Sequence, residues 1–447
     1  MPRPLLLTVT IALAVCLLAL LAAALQTPRL ASACAFDPWQ PDAYEADQAR
    51  GRYNTAIEAA SVNRLLPDDR FFALPATERG VRTDREEGAP HIPPTLLKAI
   101  AWVESNMTMA SRSVPFDAMG PALISFDCGH GLMQVTTGMT VPLGADGNAS
   151  ERQASIATHF AYNIARGAQI LLEKWNAAPE QRPVVGTDTD SEPSIIENWY
   201  YATWAYNGFT GPGSSMSNHP LDSSFDAWPR ERYRCDGTQS RNRYPYQELV
   251  WGCMANPEER DGQPLWEPTA ATLPDLTQQQ YFNAMSVSNW SFPYDGMDIP
   301  TPQPAHVDTP PSLSSSDVEA LLGRPVFQSS AQRVTVNLQE AGPVASAAVT
   351  IRNGGSGVLT WMATTDDAFL VLSPPAGVAV GDDLRCTSRA CPDSELVITV
   401  NPTLLPDAQA TGRIRISSPN STAPPVDITV DITAEFAIGA PGTSRAP

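Results

Sequence analysis

The residue whose type and position best suit chemistry is Glu104. It continues an apolar stripe of Leu97, Ile100 and Ala101 at three- and four-residue steps, so on a helix its carboxyl faces the core side rather than open solvent. Desolvation there raises a carboxyl pKa, which a general acid working near neutral pH requires. A buried glutamate paired with an arginine or a backbone amide fits the same stripe, and the spacing alone does not separate the two. A second group, His130-Gly131-Leu132-Met133-Gln134-Val135, combines a glycine that permits close approach of backbone to a ligand with an amide and a thioether. Gln134 offers a donor and an acceptor, and Met133 an apolar floor, although a packed turn has the same composition. The third group closes a helix: Trp199, Ala202 and Tyr206 share a face, Asn207 follows, and Gly208 occupies a C-terminal capping position. Tyr206 at such a helix end reaches a carboxyl across a cleft, or joins the core. No Cys-x-x-Cys or His-x-x-x-His spacing occurs and the five histidines are scattered, so neither a metal nor a cofactor is expected.

Three segments with apolar recurrence at helical steps must position these groups: Pro94 to Met107, Ser150 to Trp175 and Ser194 to Asn207. Pro93-Pro94 suits the opening turn of the first, where proline's missing N–H costs nothing. In the second, Phe160, Ile164, Gly167, Ala168, Leu171 and Trp175 form a scaffold face, and Gly167 admits a neighbouring helix closely. A lead-in segment over 35–91 carries one amphipathic stretch, Tyr53 to Leu66. From Phe209 to about Phe282 the chain reads as an ordered loop region, rich in Pro, Gly, Ser, Arg and aromatics. Pro300, Pro302, Pro304, Pro310 and Pro311 mark a semi-rigid linker, placed at 283–330. Beyond it the period becomes two. Val334 to Leu338, Ala347 to Arg352, Leu396 to Val400, Arg413 to Ile416 and Val426 to Ile432 read as strands of a small antiparallel sandwich.

Taken in order, "AIAWVES", "GHGLMQV", "NIARGAQILL" and "WAYNG" resemble the soluble lytic transglycosylase family, related in fold to goose-type lysozymes, over residues 92–212. The resemblance implies a lysozyme-like α-helical catalytic domain whose groove binds peptidoglycan glycan strands. On that reading Glu104 is the catalytic acid and base, and Ser105, Gly131, Leu132, Met133, Gln134, Tyr206 and Asn207 contact or position the substrate. The stretch from Ser105 to Gly131, which contains Cys128, is longer than the family pattern, as is the loop after Gly211. Ordinary glycosidases use two carboxyl groups. Here one stands out, and the family mechanism closes the muramoyl C6 hydroxyl onto C1 to leave a 1,6-anhydro end. Asp117 and Asp127 in the inserted stretch keep a hydrolytic, lysozyme- or chitinase-like outcome open, and a non-catalytic wall-binding protein is the alternative of another class. Residues 331–437 resemble an immunoglobulin-like sandwich, with Asn353 to Trp361 similar to BACON-type domains; Trp361 is read as core rather than as a sugar platform.

The bulk numbers agree with a multidomain α plus β protein. A chain of 447 residues exceeds one core, and 29 Lys and Arg against 48 Asp and Glu leave no basic surface for nucleic acid. Arg3, the apolar run Leu5 to Leu25 and Ala31-Ser32-Ala33 read as a signal peptide or an N-terminal membrane anchor over 1–33, placing the body outside the cytoplasm. A lipoprotein reading of Cys34 fits less well, with Arg29 nearby. The six cysteines beyond that run are even in number, with Cys235–Cys253 and Cys386–Cys391 the nearest candidate disulfides. A disordered tail is expected over 438–447.

Overall fold

A computed structural model describes residues 34–140, 150–211, 213, 216–285, 298–340, 345–386 and 391–435. The expected leader over 1–33 and the expected disordered tail over 438–447 lie outside the described residues.

The chain forms a helical body and a β-sandwich, a mixed helix-and-sheet architecture. The helices that matter for the site are α1 (Gly51–Ser61), α2 (Pro94–Ser105), α3 (Glu151–Thr158), α4 (Phe160–Asn176), α5 (Tyr200–Tyr206), α6 (Tyr246–Ala255) and α7 (Ser315–Leu322). The lead-in segment is integral to this body, since Tyr53, Ala56 and Ile57 of α1 are fully buried in its core. That helix stops at Ser61 rather than Leu66 because Asn63 takes a left-handed φ of 55° and the next amide turns back to the Ala59 carbonyl. The expected single helix from Ser150 to Trp175 is two. It breaks at His159, whose backbone is extended and whose Nδ1 accepts from Ala161 N–H to cap α4. His159 is buried, and desolvation pushes its pKa down to about 3, so it serves as a neutral cap.

The loop region from Phe209 to Phe282 is not all loop, for α6 lies within it and packs along α2. The Pro-rich stretch is no free linker either. Asp298–Ile299 pairs with Val184–Val185, His306 Nδ1 meets the buried Glu197 carboxylate at 2.7 Å, and α7 starts from a Ser314/Asp317 capping box. Val318 and Leu321 of α7 then join the helical core.

The sandwich comprises β1 (Phe327–Ser329), β2 (Arg333–Leu338), β3 (Ser346–Asn353), β4 (Val358–Thr364), β5 (Leu370–Ser373), β6 (Ala376–Val380), β7 (Ser394–Val400), β8 (Gln409–Ser417) and β9 (Val426–Ala434). One sheet runs β2-β9-β8-β4-β6, the other β5-β7-β3-β1. Along β9, Ile428, Val430 and Ile432 are buried while Asp427 faces out, as the period of two requires. The sandwich is not wholly antiparallel: Arg333–Leu338 lies parallel to Val426–Ala434. No tight hairpin joins those two strands, so no local turn dictates their direction. Trp361 is fully buried and donates from Nε1 to Ser394 Oγ at 2.8 Å, a core role.

β4 is buried along both faces, which explains how the two parts meet. Leu359, Trp361 and Ala363 enter the sandwich core, whereas Val358 and Met362 enter the helical core. Between them Thr360 Oγ1 sits 3.2 Å from Thr158 Oγ1 at the end of α3. The sandwich is thus docked on the helical body through an apolar seam.

Three disulfides form: Cys235–Cys253, Cys386–Cys391 and Cys34–Cys128. The last engages the sulfur that a lipoprotein would acylate. All six cysteines among the described residues are paired, which fits an oxidising, extracytoplasmic compartment. Among the described residues no helix is long and apolar enough to cross a membrane.

Candidate functional site

Glu104 lies in the last turn of α2, just before Asn106 and Met107, both left-handed at φ 59° and 52°. A carboxylate there faces the negative end of the helix dipole as well as a desolvating environment. Burial is the larger effect, and the Glu104 pKa is pushed up to about 7. Two groups oppose it: the Tyr246 hydroxyl donates to Glu104 Oε1 at 2.5 Å, and the Arg241 guanidinium adds a positive charge nearby, while Asp127 adds a smaller push upward.

The carboxyl opens on a cleft of about 470 Å³ whose walls include Asp127, Gln134, Lys174, Tyr206 and Asn207. Of the residues expected at the substrate, Gln134, Tyr206 and Asn207 line this cleft. Ser105, Gly131, Leu132 and Met133 do not; they form the wall behind it. Ser105 is buried, donating to the Leu132 carbonyl at 2.7 Å and accepting from Thr108 N–H at 3.1 Å, so it ties the end of α2 to the loop. Leu132 and Met133 are fully buried, and Met133 is core rather than groove floor.

The loop over 128–135 is held from behind by Asn163 of α4. Its Nδ2 donates to the His130 and Ile156 carbonyls at 2.8 and 2.9 Å, and its Oδ1 accepts from Met133 N–H at 2.8 Å. Gly131, at φ 63°, makes its close approach to this side chain and not to a ligand: a Cβ there would lie 2.6 Å from Asn163 Nδ2. Gly167 plays the complementary part. The expected neighbouring helix is absent at this point, and Met133 fills the space, so that a Cβ on Gly167 would stand 2.5 Å from Met133 Cβ. Alanine in mid-helix gains roughly 0.5–1 kcal/mol over glycine, but overpacking against so close an atom costs roughly 1–3 kcal/mol. Gly167→Ala is therefore expected to destabilise the chain by about 1–2 kcal/mol, read as a lower denaturation midpoint with an unchanged slope.

Tyr206 does not reach the carboxyl. Its hydroxyl donates to the Met133 carbonyl at 2.7 Å, and Asn207 Oδ1 accepts from Asn218 Nδ2 at 2.8 Å. Gly208, at φ 99°, caps α5 as its position required. The tyrosine on Glu104 is instead Tyr246, the first residue of α6, together with Arg241 just before it. Neither stood out in the sequence, because 142 residues separate Tyr246 from Glu104 and no local pattern encodes that contact.

No family model matches the chain, and no curated protein matches it. Similar solved structures include the periplasmic chaperone SfaE (16% identity, 26% of this chain and 60% of that one, TM-score 0.19). Others are a PapD-like domain of human CEP192 (12% identity, 30% and 95%, TM-score 0.20) and a Bacteroides ovatus GH5 xyloglucanase (16% identity, 26% and 20%, TM-score 0.17). The chain thus spans about three fifths of the chaperone's length. The sandwich rests on its own strand pairing, and the cleft on its own geometry.

Proposed function

We propose that this protein is an extracytoplasmic lytic transglycosylase acting on peptidoglycan, exported or anchored by its N-terminal apolar run, with a lysozyme-like helical domain and an immunoglobulin-like sandwich as a docked support. The observation that carries the reading is a buried carboxyl, protonatable near neutral pH, gripped by Tyr246 at the wall of an open polar cleft. The order of the four motifs adds the substrate class. Protonated Glu104 delivers its proton to the glycosidic oxygen as the bond from C1 of N-acetylmuramic acid to that oxygen breaks. The muramoyl C6 oxygen then bonds to C1, and its proton returns to the Glu104 carboxylate. No water is consumed and the enzyme ends as it began. Gln134 and Asn207 supply amides for hydroxyl and acetamido groups, and the Tyr206 hydroxyl, committed to Met133, keeps the wall in register.

Asp127 favours a second reading. As a second carboxylate in the same cleft it would activate water for hydrolysis. Mass spectrometry of fragments released from purified peptidoglycan separates the two. Anhydromuramoyl ends support transglycosylation, reducing ends make the protein a lysozyme, and no release by the active chain leaves a wall-binding protein.

Tyr246→Phe provides a finer test. The hydroxyl stabilises the charged carboxylate, so its loss raises the Glu104 pKa and moves the alkaline limb of the pH–rate profile upward. A kcat lowered by about tenfold with KM little changed is expected, since the lost contact orients the acid rather than binds the glycan. An unmoved limb would detach Tyr246 from the acid.

A further inference from the structure

A second cleft, of about 460 Å³, opens beside the end of α2 under the loop closed by Cys235–Cys253. Arg112, Arg241 and Arg260 stand in it beside Trp102 and Tyr233. Its acids are already engaged: Glu258 holds Arg260 at 2.5 Å, and Asp236 accepts from the Thr238 amide and hydroxyl at 2.9 and 2.6 Å. Arg112 and Arg241 make no ion pair among the described residues, and Arg241 donates only to the Val103 carbonyl, at 2.6 Å. Arg112 and Arg241, outside any ion pair among the described residues, share one cleft in a chain of net charge −19, and with Arg260 they outnumber the Glu258 and Asp236 carboxylates that line it. Their planar donors match carboxylates, while Trp102, with the Arg260 guanidinium 5.7 Å over its ring, offers an apolar wall. The location matters as much as the charge, because Val103 precedes Glu104 and Arg241 is close enough for its charge to act on that carboxyl.

We propose that this cleft binds carboxylates of the peptide carried by the glycan strand, so that the enzyme prefers peptide-bearing over bare glycan. The proposal rests on the peptidoglycan reading above. Both clefts are lined from the end of α2, Glu104 in one and Trp102, Val103 and Asn106 in the other, so a peptide arm on a saccharide seated against Glu104 would present its acids to Arg112 and Arg241.

The test uses the full-length chain with disulfides intact and Glu104→Gln to stop turnover. Three probes are titrated by calorimetry: a muropeptide with its acidic peptide, the same saccharide after amidase removal of the peptide, and the free peptide. The muropeptide is expected to bind about tenfold more tightly than the bare saccharide, as one to two charge-assisted contacts allow. Arg112→Gln with Arg241→Gln should erase that preference. Arg112→Gln alone, at an exposed side chain, should reduce it several-fold and keeps the test readable if the double variant does not fold. Equal affinity for the two saccharides, or a preference that survives both variants, overturns the proposal and leaves the glycan reading standing. If neither saccharide binds, the glycan reading fails, and the free peptide then decides: arginine-dependent binding upholds an acidic-peptide site, and no binding removes it.

Discussion

Glu104→Gln is expected to lower the rate of glycan cleavage by about 10²–10⁴-fold while leaving binding of the strand within a few-fold of the original. Glutamine keeps the shape and an oxygen for the Tyr246 hydroxyl, but it can neither give nor take the proton. In the active chain the acid must start protonated, and burial sets its pKa at about 7, so kcat/KM should fall as pH rises through that value. The same substitution has a second, opposite effect on the fold. A glutamate whose folded pKa is raised from 4.5 to about 7 binds more protons folded than unfolded between those values. Its contribution to stability therefore declines as pH rises from 4.5 through 7, and the full cost is present above 7. Glutamine carries no such cost. The variant should match the parent at pH 4–5 and exceed it by roughly 1–3 kcal/mol at pH 8, after discounting for solvent reaching the cleft. Thermal unfolding at the two pH values checks this, and a variant less stable at pH 8 would show that Glu104 is a structural carboxylate rather than one held at a cost for catalysis.

What could be read in the chain depended on how local its cause was. The Leu97–Ile100–Ala101–Glu104 stripe, the alternation from Val426 to Ile432 and Gly208 as a cap all depend on neighbours within a few residues, and each stands as expected. Trp361 as core follows from the same alternation. The Ser314/Asp317 box was equally local, but the surrounding prolines masked α7. The break at His159 had a local signature of a different kind, a side-chain acceptor before Ala161, which the continuous apolar stripe overrode. The remaining differences concern long-range pairings. Nothing near Tyr206 says that its hydroxyl meets Met133, and nothing near Tyr246 says that it meets Glu104. Gly131 and Gly167 announced close approaches but not their partners: Asn163 stands where a ligand was expected and Met133 where a helix was, each about thirty residues away and a neighbour only when α4 packs behind the loop. The double burial of β4 likewise has its cause in α3, some two hundred residues earlier, and an apolar strand run does not say which partner covers each face.

The helix that carries the tyrosine on the acid is tethered by a buried ion pair, so the loss of Arg230 should cost the fold heavily. Arg230 Nη1 meets Glu248 at 2.8 Å with both side chains 3% exposed. Its Nε donates to the Asp226 carbonyl at 2.9 Å and its Nη2 to that of Pro220, so one guanidinium binds the loop after α5 to the second residue past Tyr246 on α6. Burial pushes the Glu248 pKa up to about 7 even with this partner in place. Arg230→Met would leave the carboxyl without its cation and two carbonyls without a donor, at roughly 3–5 kcal/mol near pH 8. The loss should shrink toward pH 5, because Glu248 without Arg230 has a still higher folded pKa and becomes neutral by taking up a proton. Adding Glu248→Leu removes the stranded charge and should recover much of the stability, since replacing both members of a buried pair costs far less than removing one. Activity need not recover with it. The double variant retains α6 but loses the tether that sets where α6 begins, so Tyr246 would hold Glu104 less well and kcat should stay several-fold low. Recovery of stability and kcat together would place the anchor of Tyr246 in the α2–α6 packing, and not in the arginine.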